Sequence, residues 1–365
     1  MQVMYFFKFI LIITILVSIA SCNGSISHIF EKRTPHEAYG RSIRKDPAGQ
    51  AWLAASEKAL DTNQVIDLPY KLAGIFKAGK PRALALRFTA KQGERIDFIL
   101  TKSEGDSMTI FADLYRINEN EKSHLLAVDT GVTGFGFNVE ETTDYLLRLQ
   151  PALYQSGEYH LSASISPSLV FPVAGSKAKT GSYWGDARDG GKRNHEGIDI
   201  FAPKKTPVIA AANGYVTRVA EGGIGGKTVW MRASEHDIHL YYAHLDEQKV
   251  TDGQSVKKGD TLGTVGNTGN AKFTPPHLHF GVYTSSGPID PLPFVNPAVR
   301  IAPALKSQNL KEQLVISNPR SVKDERLKRG TVLTPLAITK DGYIVEIADG
   351  SIVQIPVNAV KPAET

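Results

Sequence analysis

The chain has one cysteine in 365 residues, Cys22. No intramolecular disulfide can form, so a fold exposed to an oxidising compartment must be held by packing alone. Strong charge of either sign is also missing. The 42 lysines and arginines against 37 aspartates and glutamates leave a formal +5, with a pI near 9.0. An excess this mild favours anionic partners without requiring them. The basic residues are scattered and no recognition motif accompanies them, so nucleic acid is not expected as a partner. The largely apolar run from Phe9 to Val17, continuing to Ala20, is short for a helix that crosses a bilayer. Preceded by Lys8, it has the layout of a targeting segment and is set apart from the fold. Histidine is scarce as well, with ten in the chain.

The few histidines are not spread evenly. His195-Glu196-Gly197-Ile198-Asp199 and His277-Leu278-His279-Phe280 form two short motifs, and His244 lies between them in Tyr242-Ala243-His244-Leu245. Imidazoles and a carboxylate are donors that suit zinc, and three protein ligands leave its fourth tetrahedral position free, which means catalysis. In a strand, residues two apart share a face, so His277 and His279 would look into one cavity. One could bind metal while the other reaches water. If the segment from Gly197 is extended, Ile198 and Ile200 enter the core while Asp199 points to the site. His244 ends an alternating segment on the opposite face from His239, so only one of those two can face the cavity. His236 and His239, in the polar stretch 234–239, read as exposed hairpin residues. Glu196 is read as a loop residue rather than a general base: the second histidine of a His-Glu-x-x-His helix would fall at Asp199, and Gly197 disfavours a helix.

These residues carry a family resemblance. The segment from about Phe171 to Pro297 resembles the lysostaphin/LytM-type zinc metallopeptidases, which cut peptide bonds in bacterial peptidoglycan. The first motif matches the family's His-x-x-x-Asp pattern and the last its His-x-His pattern. Gly214-Tyr215-Val216, the stretch from Gly253 to Asp260 and Gly266-Asn267-Thr268-Gly269 also follow it. The resemblance implies His195, Asp199 and His279 as ligands of Zn2+, and His277 and His244 as the catalytic histidines. It implies peptidoglycan peptide stems as substrate, with D,D cross-links the favoured bond. The alternative is a non-catalytic cell-wall scaffold or amidase activator on the same fold. A complete ligand set favours the enzyme. A lipoyl-type carrier hairpin would explain the Gly253 to Asp260 turn rhythm but gives a His-x-His strand no purpose.

Ile19-Ala20-Ser21-Cys22 resembles the bacterial lipoprotein processing box. That implies cleavage before Cys22, lipid attached to this residue, and a membrane-anchored protein facing the periplasm or cell exterior.

The rest of the chain reads as mainly β. After a signal segment at 1–21, a helical and linker stretch at 22–66 includes a helix from Ala48 to Asp61, with Trp52, Ala55, Ala59 and Leu60 on one face. Period-two alternation then predicts strands around Leu84, Ile96, Ile110, Tyr145 and Tyr159, separated by turn signals. Residues 67–167 are therefore expected to form an antiparallel, jelly-roll-like β-sandwich, with His160 on its surface. The metallopeptidase domain, a central antiparallel sheet, is expected at 168–297. A linker at 298–330 and a small SH3-like β-barrel at 331–365 follow, the latter from alternation in Val332 to Leu336, Tyr343 to Ile347 and Ile352 to Ile355. Tyr183 and Trp184, just before the first motif, are candidate groove residues.

Overall fold

The computed structural model describes residues 33–62, 64–119, 121–305, 310–322 and 324–363. The expected signal segment and Cys22 lie outside the described residues.

Two helices come first, α1 (Pro35–Ile43) and α2 (Pro47–Leu60). Asp46 caps α2 by accepting the Ala48 amide at 2.8 Å, and proline occupies the first helical position, where its missing N–H is not needed. Trp52 anchors this helix; it is 1% exposed, and its indole donates to the Pro151 carbonyl at 2.8 Å. The expected helix is thus present, and α1 is an addition.

Eight strands follow: β1 (Tyr70–Phe76), β2 (Leu84–Ala90), β3 (Glu94–Lys102), β4 (Ile110–Asn118), β5 (Glu121–Val128), β6 (Gly134–Asn138), β7 (Thr143–Pro151) and β8 (Gly157–Pro167). One sheet runs β2-β7-β4-β5, and the other contains β1-β8-β3-β6. Alternation puts Leu86, Phe88, Ile96, Phe98, Leu114, Leu147 and Leu161 on inner faces, where they form one shared core between the sheets. His160 is exposed.

The next unit holds β9 (Lys179–Ser182), β10 (Ala187–Arg188), β11 (Arg193–Asn194), β12 (Ile198–Phe201), β13 (Pro207–Ile209), β14 (Gly214–Gly222), β15 (Gly226–Ala233), β16 (His239–Gln248), β17 (Ser255–Val256), β18 (Thr261–Val265), β19 (His277–Thr284) and β20 (Gly287–Ile289), then α3 (Leu292–Val295). Its main sheet is antiparallel in the order β17-β14-β15-β16-β19-β12-β9. One face is packed by Ile198, Ile200, Leu240, Tyr242, Leu278, Phe280 and Val282, each fully buried. The opposite face carries the polar residues of interest. Phe294 of α3 rests against Gly93 of the sandwich, where an added β-carbon would lie 2.4 Å from its ring.

The tail adds β21 (Leu314–Ile316), β22 (Val332–Thr339), β23 (Gly342–Glu346), β24 (Ile352–Ile355) and β25 (Val360–Pro362). They run β25-β21-β22-β23-β24 and enclose a core of their own that includes Leu314, Leu333, Val345 and Ile355. Two features differ from a separate module after a linker. β21 and the buried Leu310 and Leu327 fall within 298–330, and β22 also pairs with β1, so the tail shares a sheet with the sandwich. The physical reason is the free edge of β1: its unpaired backbone groups are satisfied by the end of β22.

Candidate metal centre

β12 and β19 pair antiparallel with Asp199 opposite His279. Alternation sends Ile198 and Ile200 to the core and Asp199 to the polar face, as the sequence predicts. His195 precedes β12 in a loop, where its Nδ1 lies 2.8 Å from the Tyr183 carbonyl. A carbonyl only accepts, so this nitrogen carries the proton and Nε2 presents its lone pair. Nε2 of His195, Nδ1 of His279 and Oδ1 of Asp199 form a nearly equilateral triangle, with separations of 3.0, 3.0 and 3.1 Å. Gly197 makes this possible, since an added β-carbon there would stand 2.7 Å from His279 Cε1 and 2.6 Å from the Phe280 carbonyl oxygen.

The triangle tests whether a zinc ion fits. Tetrahedral bonds of about 2.0–2.1 Å place ligand atoms about 3.3–3.4 Å apart, a few tenths beyond what is seen. A lone pair on His195 facing a carboxylate oxygen at 3.1 Å is repulsive unless a positive charge lies between them. Two imidazoles and a carboxylate are also a zinc donor set. Burial would raise the Asp199 pKa, but positive charge on the two facing imidazoles outweighs that and holds the carboxyl well below the usual range. Burial pushes the His279 imidazolium down.

His277 and His244 look into the same cavity, whose volume is about 320 Å³. Their rings lie 5.0 Å apart, and His244 is 5.9 Å from His279. Each points a protonated Nδ1 at a backbone carbonyl, His277 at Pro275 and His244 at Thr268, both 2.9 Å away. Each therefore keeps Nε2 as an acceptor. Burial, then the charges of His277 and His279, depresses the His244 pKa to about 4.

The route by which His244 arrives differs from the one expected. Strict alternation along β16 would send it with Leu240 and Tyr242 into the core, while His239, Tyr241 and Ala243 share the polar face. His244 instead has φ of +63°, and this left-handed residue turns its ring to the cavity. Its amide donates to the Gly225 carbonyl at 2.9 Å, so two loops hold the kink. His239 shares the face of Tyr241 but lies too far along the strand to line the cavity. His236 and His239 are half-buried rather than fully exposed. Glu196 is an exposed loop residue, as expected, and it lines the cavity. Tyr183 and Trp184 do not; Tyr183 contributes its carbonyl to His195.

Arg188, Tyr241 and Tyr283 also line this cavity and were not among the expected residues. Tyr241 packs edge-on against His279 at 5.8 Å. Alternation back from Ala243 could have flagged Tyr241. Arg188 reaches the site through the β10–β11 hairpin, for which sequence spacing holds no signal.

The profile of peptidase family M23 matches residues 193–291. An L-Ala--D-Glu endopeptidase of Bacillus subtilis is 40% identical over 114 residues, covering 29% of this chain and 35% of that protein. The uncharacterized lipoprotein YgeR of Escherichia coli is 40% identical over 110 residues, covering 30% of this chain and 41% of that protein. The chain thus spans less than half the length of either curated relative. Among solved structures, the catalytic domain of lysostaphin from Staphylococcus simulans is 31% identical, covering 32% of this chain and 92% of that one, with a TM-score of 0.30. Residues 193–291, which hold every histidine and carboxylate of the cluster, are a peptidase family M23 domain.

Proposed function

We propose that the chain is a zinc-dependent endopeptidase that hydrolyses peptide cross-links of bacterial peptidoglycan, with His195, Asp199 and His279 holding the metal and His244 and His277 moving protons. The observation that carries this reading is the convergence of three donor atoms within 3.0–3.1 Å, beside two histidines whose free Nε2 atoms share the cavity. Zinc in such a site supplies a Lewis acid and lowers the pKa of water to about 7.

The protein's own part is proton handling. His277 and His244 are each fixed by a carbonyl at Nδ1, so Nε2 can take a proton from water attacking a peptide carbonyl. The low pKa of His244 keeps its ring neutral at neutral pH, with the Nε2 lone pair free. Once protonated, either ring becomes a donor, first to the developing oxyanion and then to the departing amine. Burial strengthens these bonds relative to water. A complete donor set supports an enzyme over a scaffold on the same fold.

The substrate is assigned to peptide stems, and the bond to D-amino-acid cross-links in particular, because the matched relatives include the peptidoglycan DD-endopeptidase ShyC of Vibrio cholerae, 41% identical over 86 residues. Cys22, in its lipoprotein-like box, would tether the enzyme to the membrane within the cell envelope; the similarity to a lipoprotein supports that placement. The test is mass analysis of muropeptides released from purified walls by the zinc-loaded protein. Products cut at D,D cross-links are expected. Cleavage only between L-Ala and D-Glu would refute the bond assignment, and intact walls with a zinc-loaded protein would refute the activity. Inhibition of lipoprotein signal processing should leave a larger precursor; unchanged mobility would refute the lipid anchor.

A further inference from the structure

Asp199 has two carboxylate oxygens, and the structure gives them different neighbours. Oδ1 faces His195 and His279 at 3.1 and 3.0 Å. Oδ2 accepts a hydrogen bond from Nη2 of Arg188 at 2.7 Å. The same nitrogen donates to the Ser182 hydroxyl at 2.6 Å. Both of its N–H bonds are thereby used, and the guanidinium is aimed from two sides. Ser182 is held in turn. Its hydroxyl lies 2.9 Å from Asp186 Oδ2, and pairing of β9 with β12 sets Ser182 beside Asp199.

A carboxylate can grip a metal with one oxygen or with both, and the second oxygen takes up a coordination position. On the reading that these residues hold zinc, we propose that Arg188 is a positioning residue that sets the denticity of Asp199. By occupying Oδ2 it keeps Asp199 a one-oxygen ligand, and it leaves the ion's remaining position to water and substrate. Lysine carries three donors on one nitrogen but lacks the rigid guanidinium plane that fixes the directions of these two N–H bonds. Partners of this kind orient ligands and tune metals from outside the coordination sphere.

The test is the visible absorption of the cobalt(II)-substituted full-length protein, read with metal content and thermal unfolding. Intensity in these bands falls as coordination rises from four to five. For Arg188→Met the expected result is full metal loading, an intensity loss of about twofold or more, and turnover down about tenfold. Arg188→Lys should recover part of the intensity. An Arg188→Met protein that folds, binds cobalt and keeps the wild-type spectrum overturns the proposal, whatever its activity, because a merely structural arginine would alter stability and not the metal's neighbours. If that variant fails to fold, Ser182→Ala decides. It removes one of the two acceptors that aim the guanidinium, and an unchanged spectrum again overturns the proposal. A wild-type protein that takes up no metal refutes the metallopeptidase reading instead, before any substitution is made.

Discussion

Replacing His244 by glycine should leave a more stable protein than replacing it by alanine, although glycine is ordinarily the weaker of the two within a strand. At φ +63°, a residue with a β-carbon carries a backbone penalty of about 1–2 kcal/mol. Glycine escapes it but brings about 0.5–1 kcal/mol of extra freedom to the unfolded chain. Both variants lose the same ring, its packing and its bond to Thr268, so those contributions cancel in the comparison. Glycine should therefore exceed alanine by about 0.5–1 kcal/mol, roughly a two- to fivefold change in the folded-to-unfolded ratio. Urea unfolding of the two variants, each stripped of metal by a chelator, measures the difference as a shift in midpoint at constant slope. Neither should hydrolyse walls. Alanine equal to or above glycine would refute the claim that a left-handed backbone, rather than ordinary alternation, brings this ring to the cavity.

Other substitutions separate roles within the cluster. His279→Ala should lose metal and activity together, whereas His277→Ala should keep zinc and lose about 10²–10⁴ in turnover; metal analysis beside a wall-hydrolysis assay checks both. Gly197→Ala forces a β-carbon to 2.6 Å from the Phe280 carbonyl oxygen and 2.7 Å from the His279 ring, and should reduce both zinc content and stability, the latter by about 1–3 kcal/mol in thermal unfolding. His36 is 6% exposed, stacks on Trp52 and has a pKa lowered first by burial and then by Arg148. A depressed folded value means that the unfolded chain takes the proton first. Stability is thus full above the ordinary value near 6.5 and falls as pH drops from there toward the folded value. The urea midpoint should decline from pH 7.5 to 5.5 in the wild type, and less steeply in His36→Gln; equal slopes would contradict this.

How much was legible follows from what periodicity can encode. His277, His279 and Asp199 were placed on one polar face because β12 and β19 are regular strands with a packed opposite face, so parity alone sorts their side chains. β1 escaped notice for the converse reason. Leu72 and Phe76 enter the sandwich core while Ala73 and Ile75 pack against the tail, so both faces are apolar and alternation disappears. β5 lies at a sheet edge and is largely exposed, which leaves it no apolar stripe to read. His244 was matched to the site by its motif, while parity by itself would have buried it beside Tyr242. Its position depends on one reversed dihedral, held by Gly225 and Thr268 from two other segments. Arg188 depends on a hairpin that returns the chain to Asp199. Regular alternation thus supplies Asp199, His277 and His279, and the departures from it supply His244 and the arginine on Asp199. Such departures concentrate where a cavity must gather groups that no single strand can present together.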